Sequence, residues 1–445
     1  MSFWKIAWRN IEQRALASSL TGLSMALGVA LMILVIVIHD VTVDQFSNDA
    51  QGYHLIVGGS KGGEWQLVMT TVFHLGKPLY PIPWSYYKKF TDGEFAPYTA
   101  VAIPYCLGDS YQSGDDQFRI VATTPNLFDK IAYGATEDGS EKRYVFQTGG
   151  NFKSENFHDA VIGATVARHT GLKVGDTFQP THGISATGDK HSAFTIVGVL
   201  APTGTANDRA LFINLEGFFL LEGHSLPPEG AENNPAEAAV EHEHEHEHGD
   251  DATPLPEDQR EVTSILVLCK EGFGTEAMVL DKMINKGRDR TAQAVAPASV
   301  VSRFLETIVG PVRVVLMVLT ILIIVVAGIS VLVSIYNSMS ERKHDIAVMR
   351  ALGASRSAVM GIILVESILL SLLGGIAGVL LGHAVLGLAG PIVEARAGIV
   401  LKYWQFNWQE GLLVPGLVVF ASLVGFLPAL TAYRTDVGKT LGSGR

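Results

Sequence analysis

The sequence predicts a membrane protein of four transmembrane α-helices, one followed by three, with a large mixed α/β extracytoplasmic domain inserted between helices 1 and 2. Three observations carry this. Hydrophobic residues make up 48% of the 445 residues and charged ones only 17%, with a mean hydropathy of +0.26. That average hides four stretches almost free of Asp, Glu, Lys and Arg: Ala15–Ile38, Val314–Tyr336, Ala358–Ala389 (broken only by Glu366) and Gly411–Ala432. Each is long enough, at ~1.5 Å per residue, to cross a hydrocarbon core of ~30 Å. Between the first two lies a run of about 270 residues, room for two folded subdomains, in which strand-like segments alternate with Gly, Pro and Asp.

Residues 1–14 place Trp4, Trp8 and Ile11 at helical spacing, with Lys5, Arg9 and Glu12 elsewhere around the helix. That pattern suits a cytoplasmic helix lying in the membrane interface, in contact with lipid. Residues 15–39 are transmembrane helix 1. Its apolar run exceeds the ~7–15 residues of a signal sequence and lacks a small-x-small cleavage site, so it is expected to remain as an anchor. Residues 40–310 are the extracytoplasmic domain, 311–338 transmembrane helix 2, 339–357 a cytoplasmic segment and 358–389 transmembrane helix 3. An outer loop at 390–410, transmembrane helix 4 at 411–432 and a cytoplasmic tail at 433–445 complete the chain.

Orientation follows from basic residues near the helix ends. Lys5, Arg9 and Arg14, then Arg342, Lys343, Arg350 and Arg356, then Arg434, Lys439 and Arg445 fall on one side, against Arg396 and Lys402 on the other. Both termini are therefore expected in the cytoplasm. Trp404, Phe406 and Trp408 would form an aromatic belt at the outer surface. Residues 40–310 carry 37 Asp and Glu against 20 Lys and Arg, which argues against nucleic acid and suits cationic ligands. Residues 222–260 are rich in Glu, Pro and His without an apolar period and are expected to be a disordered loop. Cys106 and Cys269 both fall outside, either as a disulfide or as two buried thiols.

Two patterns resemble catalytic motifs. "GGSKG" at 58–62 has the spacing of a nucleophile elbow around Ser60, and a membrane-anchored serine hydrolase would follow from it. A glycine turn after the strand "YHLIV" accounts for the same residues, and nothing else assembles a triad. "VGKT" at 437–440 has Tyr433 where a phosphate-binding loop requires glycine and follows a membrane helix, so the chain is expected to carry no ATPase of its own. Within the third apolar run, Glu366 is expected to make a structural hydrogen bond in preference to serving as a proton relay. Gly374, Gly378 and Gly382 recur every fourth residue, a stripe against which another helix can pack closely.

The layout resembles the MacB/FtsX-like permeases of ABC transporters. The resemblance is carried by "SERKHDIAVMRALGASRSAVMGIILVESILLSLLGGIAGVLLG" at 340–382, with its basic–acidic–apolar stretch, A-L-G-A turn, glutamate and glycine stripe. "DAVIGATVARHTGLKVGDTF" and "FTIVGVLAPTGTANDRALFINLEG" look similar to the family's periplasmic core domain. The closing "GFLPALTAYRTDVGKTL" departs from the family at Asp436, which Val437 follows instead of proline. The resemblance implies a non-catalytic permease subunit that works as a homodimer with a separate ATP-binding subunit and acts mechanically on cargo or on a periplasmic partner. It implies an ATPase-coupling segment made of Glu341, Arg342, Asp345, Ile346, Met349, Arg350, Leu352 and Gly353. As a helix, 341–352 would turn Ile346, Met349 and Leu352 toward a partner groove. Another reading within the same resemblance is an ATPase-coupled regulator of an extracytoplasmic partner such as a cell-wall hydrolase.

One further feature lies outside the family pattern. In "EHEHEHEHGDD", His242, His244, His246 and His248 alternate with glutamates, so three or four imidazoles can wrap one ion. This stretch is expected either to capture divalent transition metal, most readily Zn²⁺, or to serve as a solvated acidic linker. No other cofactor is expected in the chain. The opening "VGGSKGGEWQLVMTTVFHL" resembles permeases associated with zinc handling.

Overall fold

In lipid no water is present to satisfy backbone polar groups, so a charge-free stretch of this length has to close its hydrogen bonds within a helix. The computed structural model describes residues 3–49, 52–77, 80–114, 116–135, 140–183, 190–221, 255–270, 274–341, 343–397 and 408–434. It divides into two units, Met1–Val43 with Glu306–Arg445, and Asp44–Leu305. The chain is a membrane protein. Four helical spans are long and apolar enough to cross: Ala15–Val43, Pro297–Asn337, Arg356–Val393 and Glu410–Leu430.

The membrane unit contains helices α1 (Phe3–Gln13), α2 (Ala15–Asp49), α3 (Gly310–Glu341), α4 (Lys343–Ala351), α5 (Arg356–Ala397) and α6 (Trp408–Arg434). Short α1 exposes Trp4 and Trp8 and buries Ala7 against its neighbours. At the junction of α1 and α2, Arg14 donates to the Ser334 carbonyl of α3 at 2.7 Å.

The glycine stripe of α5 packs against α2. A Cβ at Gly378 would stand 2.6 Å from Val29 Cβ and 2.7 Å from the Ala26 carbonyl oxygen; one at Gly374 would stand 2.9 Å from Met25 Cβ, and one at Gly382 3.2 Å from Ile33 Cβ. Hydrogen in place of Cβ lets the two backbones approach, which replaces the hydrophobic drive that lipid cannot supply. The same device brings α3 to α6, where a Cβ at Gly328 would meet the Phe420 ring at 2.4 Å. Between α5 and α6, Ser367 Oγ donates to the Ala421 carbonyl at 2.7 Å.

The inserted unit is built on a ten-stranded mixed sheet. Its strands are β1 (Leu55–Gly59), β2 (Thr99–Ser113), β3 (Asp116–Thr123), β4 (Phe146–Gly149), β5 (Asp159–Ile162), β6 (Thr177–Phe178), β7 (Phe194–Leu200), β8 (Ala210–Asn214), β9 (Ser264–Cys269) and β10 (Ala292–Val295). The order is β10-β1-β9-β2-β3-β8-β5-β7-β4, with β6 on β7. Long β2 belongs to both halves: Thr99–Tyr105 pair with β9, and Cys106–Ser113 pair with β3. The pairs β3–β8 and β5–β7 are parallel. Alternate residues such as Leu55, Val57, Ile120, Ala122, Leu211 and Ile213 enter one hydrophobic core with Phe118, Phe178 and Phe194. A tight turn at 203–208 is closed by the buried Asp208 carboxylate, which accepts from the Thr203 and Gly204 amides. Gly163 allows that turn to approach, since a Cβ there would lie 2.4 Å from two of its carbonyl oxygens.

Two sequence expectations are corrected or resolved here. The loop expected over 222–260 does not extend across 255–260. Arg260 is buried, its guanidinium 4.8 Å from the Phe219 ring centroid and ion-paired with Glu216 at 3.0 Å, and it is preceded by a 3-10 turn at Glu257–Gln259. Both cysteines are free and buried. Cys269 pairs with Thr99 at one end of β2, whereas Cys106 lies further along the same strand, roughly 20 Å away at ~3.3 Å per residue. A disulfide needs Cα atoms within about 7 Å. Burial pushes both thiols up, Cys269 to about 11.

The stripe makes a stability prediction. Gly378→Ala should lower the stability of the purified protein by about 1–3 kcal/mol through overpacking. Gly416→Ala, where a Cβ meets nothing within 4 Å, should leave it within ~0.5 kcal/mol. Thermal unfolding in one detergent compares them, and equal melting points would contradict the packing.

A second prediction concerns pH. The His74 ring lies between Tyr105 and Phe212, and burial, then the Arg119 charge, pushes its pKa down to about 3. The unfolded chain, with an ordinary histidine near 6.5, binds the extra proton first. The stability contribution is therefore complete above about pH 6.5 and falls on acidification by up to ~1.4 kcal/mol per pH unit. Chemical unfolding at pH 7 and pH 5 should show this loss, and His74→Phe should reduce it. An identical pH dependence in the variant would contradict the assignment.

Candidate functional site

Helix α4 and its turn make up most of the segment singled out in the sequence. The A-L-G-A run is a helix stop. Gly353 adopts φ +100°, its amide donates to the Arg350 carbonyl at 3.1 Å, and the Ala354 amide donates to the Met349 carbonyl at 3.0 Å. These two bonds satisfy carbonyls that the helix end would leave open, and the left-handed position favours glycine. Ser355 then caps α5, its hydroxyl accepting from the Ala358 amide at 3.2 Å. Two helices are thus joined by a turn in which each bond is specified locally.

The faces of α4 differ from the sequence expectation. Ile346 and Ala347 are buried in the membrane unit's own core and Met349 is half-buried against it. They anchor α4 and do not face outward. Leu352 is 84% exposed, and Val348 and Gly353 are exposed beside it. Arg350 is half-buried. Glu341 and Asp345 have helical backbone, and Arg342 lies outside the described residues.

Behind α4 is a cavity of about 200 Å³ lined by Asn10, Ile346, Met349, Val359, Ile363 and Glu366. Glu366 is only 7% exposed and accepts from the Asn10 amide at 3.2 Å. This polar bond, in an apolar setting, ties α1 to α5 beside α4. Asn10 was not legible as a partner because its sequence neighbourhood is that of a surface helix.

A second membrane-unit pair was also missed. His383 Nε2 lies 3.0 Å from the Glu410 carboxylate, and both side chains are nearly buried. Glu410, expected in the outer loop, lies in the first turn of α6, where a carboxylate is favoured by the helix dipole.

The remaining candidates separate. Ser60 donates its hydroxyl to the Arg290 main-chain carbonyl, a structural bond. A Cβ at Gly58 would meet Leu67 at 2.5 Å, so close packing accounts for a glycine in that motif. His242, His244, His246 and His248 lie outside the described residues, as does 437–440. Among the described residues, Asp109, His182 and His191 form a group able to hold a metal ion. They come from distant stretches of chain, so no spacing announces them.

Comparison with known proteins places these features in context. The model of an FtsX-like permease C-terminal matches residues 317–437, and that of a MacB-like periplasmic core domain matches residues 18–278. An uncharacterized ABC transporter permease of Methanocaldococcus jannaschii, MJ1507, is 25% identical over 282 residues, 61% of this chain and 58% of its own length. The uncharacterized ABC transporter permease YknZ of Bacillus subtilis is 33% identical over 119 residues, 25% of this chain and 27% of that one. The macrolide export ATP-binding/permease protein MacB of Bordetella avium is 34% identical over 121 residues, 26% of this chain and 17% of that protein. The chain therefore spans less than two thirds of each of these relatives. Among solved structures, the extracellular domain of YknZ aligns with 48% of this chain and 89% of its own, at 9% identity and a TM-score of 0.28.

Proposed function

The chain belongs to the family of ABC transporter permeases with a MacB-like periplasmic core domain and an FtsX-like C-terminal domain, and from that premise we propose that it is a non-catalytic membrane subunit that carries ATP-driven motion of a separate ATP-binding subunit to the inserted domain. The observation that carries this reading is the division of labour in α4. Its apolar residues Ile346 and Ala347 are buried in the bundle core, while Leu352 and Gly353 stand exposed at the turn. A partner pressing on Leu352 acts on a helix that shares a core with α2, α3, α5 and α6. Helical chain then runs into the inserted unit twice, through α2 to Asp49 and back from Pro297.

Both termini and α4 face the cytoplasm of a cell that keeps the protein in its inner membrane, and two copies pair around two ATP-binding subunits. Mechanical work suits the bundle better than a hydrophilic pore, because Glu366 and His383 are engaged with Asn10 and Glu410. The stretch 241–251 collects divalent transition metal, zinc above all, and links the transporter's cargo or regulation to that metal.

Reconstituted alone, the protein should hydrolyse no ATP. With its cognate ATP-binding subunit it should stimulate hydrolysis, and Leu352→Asp should cut that stimulation at least tenfold while leaving the melting temperature unchanged. Hydrolysis by the chain alone, or full stimulation in Leu352→Asp, would contradict the proposal. For the metal link, deleting residues 240–250 should lower the zinc stoichiometry seen in calorimetry and leave the fold intact. Undiminished binding after the deletion overturns the loop's role.

A further inference from the structure

We propose that Asp109, His182 and His191 form a discrete binding site for one divalent transition-metal ion on the inserted unit. This inference is independent of the role given to residues 241–251.

The site begins with an irregularity in the sheet. Along β2 and β3, Leu107 pairs with Val121 but Ser110 pairs with Arg119, so β2 holds one extra residue at Gly108–Asp109. Such a bulge re-aims a side chain that a regular strand would send to the opposite face. Asp109 is 0% exposed. On the other side of β2, Ser110 and Thr181 exchange both backbone hydrogen bonds, at 3.1 and 2.8 Å, and Thr181 in turn pairs with Lys190. The two histidines each follow one of those paired residues. The His191 amide donates to the Pro180 carbonyl at 2.9 Å, and Ser110 Oγ donates to the Gly183 carbonyl at 2.8 Å. Gly183, at φ +74°, turns its amide toward Asp109 Oδ1 at 3.3 Å. The backbone thus holds both rings beside the buried carboxylate.

The separations fit a ligand set as well as an ion pair. His182 Nδ1 lies 3.6 Å from Asp109 Oδ1, and His191 Nε2 lies 3.5 Å from Asp109 Oδ2. Both exceed the ~2.7–3.2 Å of an N–H···O hydrogen bond. Ligands placed ~2.0–2.1 Å from a tetrahedral ion stand about 3.3 Å apart, and the nearest nitrogen–oxygen separations here, one to each carboxylate oxygen, are slightly longer than that. One ligand atom from each residue lies within 4.8 Å of the others. Burying the carboxylate requires compensation. Arg119 supplies some positive charge nearby, but its guanidinium also donates to the Gly76 carbonyl. The Gly183 amide contributes a hydrogen bond, and a cation between the three side chains would add to these.

Two imidazoles with one carboxylate suit Zn²⁺, Co²⁺ or Ni²⁺ better than Ca²⁺ or Mg²⁺, which prefer all-oxygen shells. Three protein ligands leave a coordination position open, and His182 is 51% exposed, so the ion can exchange with solvent or with a donor.

The test uses the full chain lacking residues 240–250, purified in detergent, stripped with chelator and titrated with Co²⁺. One equivalent should bind, with the visible absorption of tetrahedral cobalt, and Zn²⁺ should displace it. His182→Ala, at a half-exposed position outside the core, should weaken binding at least tenfold and abolish the spectrum, with circular dichroism unchanged. Asp109→Asn and His191→Ala should act alike, and the exposed His182 keeps the test valid if a buried variant does not fold. Absence of stoichiometric Co²⁺ binding in the loop-deleted protein, or an unchanged titration in His182→Ala, would overturn the site. Because the loop is already removed, neither result bears on the loop's own role.

Discussion

Without side chains at Gly374, Gly378 and Gly382, α5 lies so close to α2 that a Cβ at the middle position would sit 2.6 Å from that of Val29. The rest of the membrane unit depends on this contact. Lipid offers no hydrophobic gain for helix association, so close backbone approach and a few polar bonds must hold the helices together. Glycine at Gly328 and Gly425 repeats the solution where α3 and α5 meet α6. Together these contacts place Ile346 of α4 in the same core as Met25 of α2 and Ala429 of α6.

That arrangement makes α4 part of the bundle. A charged segment between two membrane helices needs only solvent if it is a tether. Here it has a buried face, a glycine stop at Gly353 and a serine cap at Ser355, and it lies beside the Asn10–Glu366 bond. A polar bond in such surroundings resists separation because breaking it costs a hydrogen bond in an apolar setting. A load applied at the exposed Leu352 turn is thereby carried by packed side chains, which suits a part that transmits motion.

Features that depend on one stretch of chain were legible in the sequence. Helix length and absence of charge marked the four spans, strand-like runs marked the α/β insert, and the spacing of Gly374, Gly378 and Gly382 marked a packing face. Features that depend on a partner were not. An amphipathic pattern shows that Ile346 and Met349 need burial but not what covers them, and here the protein's own core does. Arg260 looked like part of a polar loop because its aromatic partners, Trp84 and Phe219, are far away in sequence. The bulge that exposes Asp109 to two histidines exists only once β2 has paired with β3.

The central claim is that motion at the α4 turn reaches the inserted unit. Its most direct test is a distance measurement by pulsed electron spin resonance between labels at the exposed Ser357, just past the turn, and at the exposed Met278. Cys106 and Cys269 are buried, so introduced cysteines can be labelled selectively. In the presence of the ATP-binding subunit, trapping the ATP-bound state should shift the distance distribution, and the shift should disappear in the labelled protein without that subunit. An unchanged distribution while ATP is being hydrolysed by the complex would contradict the account.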